Sequence, residues 1–282
     1  MPMRKEWRFL PRRDRQGLRA RLVMSEERET SSALTDLRGA VAVITGASSG
    51  IGAAIAEALA QRGARVALAA RREERLATLV ERLAAIADAG EVTAIHCDVR
   101  RPDDVQRLMA ATLERWGRID LLVANAGFGY RQPIAEGDVA IWKDLLDTNV
   151  YGLLLTLRYG VPPMLERRAG HVVVTSSVAG RVVTQGGGAY CGSKFAASAI
   201  ADALRMEVAS AGVRVTTIEP GVVISEFQAV ARYTPETLAN MLKGAEPLVP
   251  ADIARAVVFA AEQPAHVGVN ELVIRPSGQS HP

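Results

Sequence analysis

The feature that most restricts the fold of this chain is a repeated alternation of short apolar runs with amphipathic stretches, first seen over residues 40–70. Ala40-Val41-Ala42-Val43-Ile44-Thr45 is an apolar run stopped by glycine, the pattern of a strand buried on both faces of a parallel sheet. A glycine-rich turn follows. Residues 50–62 then carry alanine, isoleucine and leucine at helical spacing, and Gly63 ends them before a second apolar run, Arg65-Val66-Ala67-Leu68-Ala69-Ala70. Strand, helix and parallel strand in that succession make a βαβ unit.

The alternation continues. It predicts helices over 73–88 and 103–116, strands over 91–97 and 119–124, and a long helical stretch over 138–168 that Pro162-Pro163 must break or kink. A strand over 171–176, a helix over 188–211, a strand over 213–218 and a final helix and strand within 251–274 complete the pattern. Seven strands alternating with helices imply one α/β domain, a doubly wound parallel sheet with helices on both faces (a Rossmann fold) over residues 37–282. Only 221–248 reads as a long irregular piece, and loops of that length are usually functional.

Composition matters mainly at the N-terminus. Residues 1–24 carry eight Lys or Arg against Glu6 and Asp14, so a segment of net charge +6 precedes a remainder of −3, although the whole chain is only +3. The basic balance therefore belongs to an extension over 1–36, expected to be flexible, and implies no nucleic-acid affinity for the domain. Arg12-Arg13 is not followed by an apolar stretch before Met24, which argues against a cleaved export signal. A start of translation at Met24 is a second reading of the same segment. No apolar run approaches the ~18 residues of a membrane span, and the two cysteines, Cys97 and Cys191, suit packing in a reducing compartment. A cytoplasmic protein without membrane or nucleic-acid partners, and without a metal site, is expected.

The turn after the first run reads Thr45-Gly46-Ala47-Ser48-Ser49-Gly50-Ile51-Gly52. Small residues between a strand and a helix let the backbone approach a pyrophosphate, and the helix N-terminus offers free N–H groups. Roughly 20 residues on, an NAD site would present a carboxylate to the ribose; here the positions are Arg71 and Arg72. Two guanidinium groups suit the additional 2′-phosphate of NADP, so NADP(H) is the expected cofactor. Far downstream, Tyr190 and Lys194 stand four residues apart on a predicted helix and share a face, a phenol beside an ammonium.

Together with Asp98-Val99, Ala124-Asn125-Ala126-Gly127, Asn149, Ser177 and Pro220-Gly221, these elements resemble the short-chain dehydrogenase/reductase family over residues 37–276. The C-terminal run Val269–Pro276 is similar to an NADP-dependent branch that includes 3-hydroxy acid (serine-type) dehydrogenases and clavaldehyde-type reductases. The resemblance implies an enzyme acting on CH–OH groups, which transfers a hydride between NADP(H) and a small-molecule carbonyl or alcohol. Tyr190 is then the general acid/base. Lys194 lowers the phenol's pKa and bonds the nicotinamide ribose, Ser177 holds the substrate oxygen, and Asn149 holds a water that links Lys194 to solvent. Moving a phenol from about 10 to about 7 takes about 4 kcal/mol, which the resemblance assigns to Lys194 together with the nicotinamide's positive charge. The resemblance further places Gly46, Ser48, Ser49, Gly50, Ile51, Gly52, Arg71, Arg72, Asp98, Val99, Asn125, Ala126, Gly127, Pro220, Gly221, Val223 and Ser225 around the cofactor, with Asp98 near the adenine amine. Ala124 stands where the family usually has Asn, and Ser225 where it has Thr.

Substrate contacts are expected from Phe128, Gly129 and Tyr130, from 179–188 and from 221–248; Arg181 is a candidate partner for a substrate carboxylate or a structural arginine. The helix over 188–211 has little polar face, which predicts burial on both sides, and in the family this helix packs on a second subunit, so a homodimer or homotetramer is expected. A catalytically silent NADP-binding regulator on the same fold is the alternative, although such a protein has no need of the proton relay.

Overall fold

The computed structural model describes residues 36–279. The N-terminal extension, but for its last residue, and the twin arginine lie outside the described residues. The sheet has seven parallel strands in the order β3-β2-β1-β4-β5-β6-β7: β1 Val41–Thr45, β2 Arg65–Ala70, β3 Val92–His96, β4 Leu121–Ala124, β5 Gly170–Thr175, β6 Val213–Pro220 and β7 Glu271–Ile274. The order reverses between β1 and β4. A crevice at the C-terminal ends of the strands is forced at that point, because the connections leave in opposite directions.

Strand residues alternate between two cores, as a sheet covered on both faces requires. Ala42, Ile44, Val66, Leu68 and Val173 point into one, where they meet α1 (Gly50–Ala60), α2 (Glu73–Ala84) and α10 (Pro250–Ala261). Val43, Ala67, Val172 and Val174 point into the other, against α3 (Pro102–Trp116), α5 (Gly152–Gly160), α6 (Pro162–Arg167) and α7 (Gly188–Val208). His171 on β5 lies between strands, its Nε2 2.8 Å from Thr216 Oγ1, and burial pushes its pKa down to about 3.

The long stretch expected over 138–168 is several pieces. After α4 (Val139–Leu146) the backbone widens into a π-helical turn at Asp147–Tyr151 before α5, and Pro162 opens α6 as its first residue. Proline is tolerated there because its missing N–H would have no intrahelical partner. The irregular 221–248 segment also contains α8 (Phe227–Val230) and α9 (Pro235–Leu242). It leaves and re-enters the domain at one place, since Ile224 N donates to Leu248 O and Leu248 N to Val222 O. Within one copy of the chain helix α7 is buried along one side: Ser193, Lys194, Ala197 and Ala201 face inward while Phe195 and Met206 are exposed, and the burial expected on the other side is one that a second subunit would supply.

Among the described residues no helix is long and apolar enough to cross a membrane, and no cluster of three His, Cys, Asp or Glu is placed to hold a metal ion. Cys97 and Cys191 are buried free thiols.

Candidate active site

The crevice between β1 and β4 opens into a cavity of about 500 Å³ that runs across the C-terminal ends of the strands. Its floor is the turn after β1. Gly46 adopts φ +69° and a Cβ there would come within 2.8 Å of Ala126 Cα; one on Gly52 would stand 2.4 Å from Gly46 O. Glycine at these positions is thus a spatial necessity, and it brings the turn flat against the tip of β4. Asn125 fixes that approach, its N–H donating to Thr45 Oγ1 (3.1 Å) and its Nδ2 to Thr45 O (3.1 Å). The cradle has the depth and the bare backbone that a pyrophosphate needs, so the residues present fit a dinucleotide.

At the end of β2, Arg72 caps the start of α2 without a side-chain cap bond. Its guanidinium donates to Ser48 Oγ (2.9 Å) and Ser49 Oγ (2.6 Å) on the glycine turn and to Glu226 (2.9 Å) on the segment after β6. Arg75, one helical turn further, also pairs with Glu226. Together the two arginines hold the Glu226 carboxyl down to about 2. Arg71 lines the cavity and makes no hydrogen bond or ion pair among the described residues. Both oxygens of Asp98 accept from Arg100, Oδ1 from its backbone N–H and Nε and Oδ2 from Nε and Nη2, which holds that carboxyl below its usual range.

Tyr190 and Lys194 reach the same cavity from α7. The phenol stands beside Ser177, whose hydroxyl lowers its pKa, yet burial is the larger influence and the net shift is upward. Lys194 Nζ donates to Thr175 O (2.9 Å) and lies 5.9 Å from the centre of the Tyr190 ring; burial lowers it to about 8. Among these residues alone desolvation opposes charge on both groups; the expected lowering of the phenol invokes Lys194 together with the nicotinamide's positive charge. Ser177 Oγ accepts from Ala179 N (3.1 Å) and donates to Pro220 O (3.4 Å), which sets its rotamer.

Asn149 sits in the π-helical turn, whose extra width carries its side chain off the helix. It is buried, accepts from Phe128 N (3.0 Å), and donates to Phe128 O (2.8 Å) and Ser193 Oγ (3.0 Å). It does not line the large cavity. It lines a second one of about 10 Å³, shared with Lys194 and Thr175, whose Oγ1 is buried without a hydrogen-bond partner.

The expected cofactor residues other than Gly52 line the large cavity: Ser48, Ser49, Gly50, Ile51, Arg71, Arg72, Asp98, Val99, Ala126, Gly127, Pro220, Gly221, Val223 and Ser225, with Gly46 and Asn125. Gly52 lies beneath them, packed on Gly46 and Asn125. Arg181 turns away from the cavity. It pairs with Glu219 on β6 and Glu271 on β7, and Glu219 also accepts from Ser198 (3.1 Å). Its place is structural. Arg75 and Arg100 lie outside the residues that the sequence points to, while Glu226 and Phe227 fall within the 221–248 segment without being distinguished in it; only Arg75, three residues from Arg72 on one helix face, carries a signal that periodicity offers.

A doubly wound sheet with a glycine cradle at its switch point and a Ser-Tyr-Lys group across the crevice defines a nucleotide-dependent oxidoreductase of the Rossmann class. The short chain dehydrogenase family model matches residues 40–236, and the chain belongs to that family. An uncharacterized oxidoreductase of Staphylococcus saprophyticus is 40% identical over 243 residues, 86% of this chain and all of that protein. An alcohol dehydrogenase from the archaeon Thermococcus sibiricus, solved with 5-hydroxy-NADP, superposes with a TM-score of 0.77 at 33% identity, covering 86% of this chain and 99% of that one. The closed form of a serine dehydrogenase complexed with NADP+ gives 0.79 at 32% identity, covering 86% and 96%.

Proposed function

We propose that this protein is an NADP-dependent oxidoreductase that moves a hydride between NADP(H) and the carbonyl or alcohol carbon of a small molecule, with Tyr190 as general acid/base. The observation that carries this reading is the convergence of Ser177, Tyr190 and Lys194 on the same cavity as the glycine cradle and Arg71 and Arg72. NADPH, when bound, supplies the hydride. Arg71 and Arg72 would hold its 2′-phosphate by charge-assisted bonds, the cradle its pyrophosphate, and Lys194 its ribose.

Ser177 fixes the substrate oxygen, and Tyr190 Oη gives that oxygen a proton in reduction or takes one in oxidation. Both side chains are held in place before substrate arrives, so little is lost in orienting them. Lys194 is buried and its pKa of about 8 lies close to neutral, where a group both gives and takes a proton readily. The cavity of about 10 Å³ beside it has the size of one water. Asn149 and the unpartnered Thr175 Oγ1 supply the polar wall of a path by which Lys194 regains its proton.

A homo-oligomer and a cytoplasmic location go with this reading. Leu146, Tyr151, Leu154, Phe195 and Met206 are exposed on α4, the π-helical turn, α5 and α7, an apolar face suited to a second copy, and the two free thiols suit a reducing compartment. The test is a panel of carbonyl and alcohol substrates followed by NADPH oxidation or NADP+ reduction. Turnover with NADPH well above NADH is expected. NADPH binding without turnover of any substrate would replace the enzyme by a nucleotide-binding regulator.

A further inference from the structure

The cavity continues past Tyr190. Beyond the phenol its wall comes from the loop after β4 and the segment after β6, which supply Phe128, Phe227, Tyr233, Leu238 and Met241. This wall is apolar, with one cation, Arg131. The other charged residues of the cavity belong to the nucleotide end, apart from Lys194.

Arg131 is half-buried and firmly placed. Its Nη2 donates to Gln185 O (2.6 Å) and its Nη1 approaches Thr184 Oγ1 (3.5 Å), while Cζ stands 5.4 Å from the centre of the Tyr233 ring. A guanidinium has five N–H donors, and these two contacts leave three. No carboxylate pairs with it among the described residues, in contrast to Arg181, which two glutamates engage. The rings form a continuous surface back to the proton donor: Tyr233 to Phe227 is 6.3 Å between centroids and Phe227 to Tyr190 is 5.6 Å.

We propose that the substrate is an oxo or hydroxy acid in which an apolar body, aryl or alkyl, separates the carboxylate from the reacting carbon. The carbonyl oxygen meets Ser177 and Tyr190, the body lies along Phe227 and Tyr233, and the carboxylate pairs with Arg131. A planar guanidinium with adjacent free donors matches a carboxylate in two parallel bonds, and partial burial strengthens them relative to water. Because two rings intervene between the guanidinium and the Tyr190 ring, the acid group lies several bonds from the carbonyl. The identification rests on the oxidoreductase reading above, which supplies the reacting end.

The experiment compares matched pairs, 4-formylbenzoate and 4-(3-oxobutyl)benzoate against their methyl esters, by NADPH oxidation. The acids should exceed the esters in kcat/KM by about 10- to 100-fold, the range of a hydrogen bond to a charged group. Arg131→Gln should remove most of that preference through the KM of the acids, and Arg131→Lys, which keeps the charge without the fork, should restore part of it. Equal kcat/KM for acid and ester, or a parallel fall of both in Arg131→Gln, overturns the proposal. A second arm needs no turnover: calorimetric titration of NADP+-loaded protein with 4-phenylbutanoate and 4-phenylbutanamide. Binding selective for the acid and lost in Arg131→Gln supports the site, whereas equal binding or none overturns it. If only neutral carbonyls are reduced, the redox reading stands and the anion site falls. If the acid binds through Arg131 and nothing is reduced, the anion site stands and the redox reading falls.

Discussion

The two ends of the cavity are built by different means. At the nucleotide end the determinants are backbone: a turn that must lie within van der Waals distance of Ala126, strand tips locked by Asn125 to Thr45, and a helix start. At the far end the determinants are side chains, Phe227, Tyr233 and Arg131, brought together from segments with little regular structure. A backbone cradle tolerates few sequences and serves one ligand shape. A side-chain wall can be replaced residue by residue, which is how one fold comes to host many substrates.

Tyr190 stands where the two ends meet, so its removal should give the largest effect. Tyr190→Phe keeps the ring packed on Phe227 and deletes only the proton donor. Turnover should fall by about 10² to 10⁴, while fluorescence titration gives an NADPH affinity close to that of the wild type. Retained turnover would mean that the proton comes from elsewhere, and the division of the cavity at Tyr190 would be wrong.

Next in size is the cradle itself. A methyl group on Gly52 would lie 2.4 Å from Gly46 O and 2.7 Å from Asn125 Nδ2, and the first of these is backbone that cannot swing aside. Gly52→Ala should weaken NADPH binding by more than about tenfold, as displacement of an anion-binding turn implies, and should lower the melting temperature, because the clash also strains the β1–β4 contact. Unchanged NADPH binding would show the turn to be softer than its geometry indicates.

The same contrast explains what the sequence reveals. The seven strands, the glycine turn and Arg71 and Arg72 follow from periodicity and local chemistry, and each is seen where the pattern places it. The placement of Tyr190, Lys194 and Ser177 in one cavity needed the family resemblance, since no local rule brings residues of α7 to the turn after β1. Arg181 shows the limit. Its position near Ser177 made a substrate contact reasonable, and only the tertiary pairing with Glu219 and Glu271 excludes it. Arg131 lies one residue beyond Phe128-Gly129-Tyr130, and its lack of a carboxylate partner among the described residues is a property of the fold. Desolvation is equally invisible in a motif: four residues separate Tyr190 from Lys194, and burial still moves the phenol upward and the amine down to about 8.

Cofactor choice should give an effect of intermediate size. Arg71→Ala should raise the Michaelis constant for NADPH about tenfold more than that for NADH, corresponding to one charge-assisted contact. Arg72→Ala should do the same and also loosen Ser48 and Ser49, which its guanidinium bridges. Equal effects on the two cofactors would assign both arginines to the surface of α2 and leave the 2′-phosphate without a specific partner.

The smallest effect is expected at Glu226, the point where the substrate-side segment touches the nucleotide end. Its carboxylate lies on Arg72 and Arg75, the kind of group a 2′-phosphate would also seek, so the two anions compete for the same charge. Half-exposed ion pairs contribute about 0–1 kcal/mol each, which limits the competition to a few-fold. Glu226→Gln should therefore tighten NADPH binding about two- to fivefold at low ionic strength, with the gain fading in ~1 M salt as screening removes the competition. Since the arginines hold the carboxyl down to about 2, the glutamate keeps its charge throughout the neutral range, and the gain should not vary between pH 7 and pH 8, above the second ionisation of a phosphate monoester at about 6. Weaker NADPH binding in Glu226→Gln would reverse the interpretation: the glutamate would then orient the two guanidinium groups for the phosphate, and the far segment would be part of the cofactor site it was contrasted with.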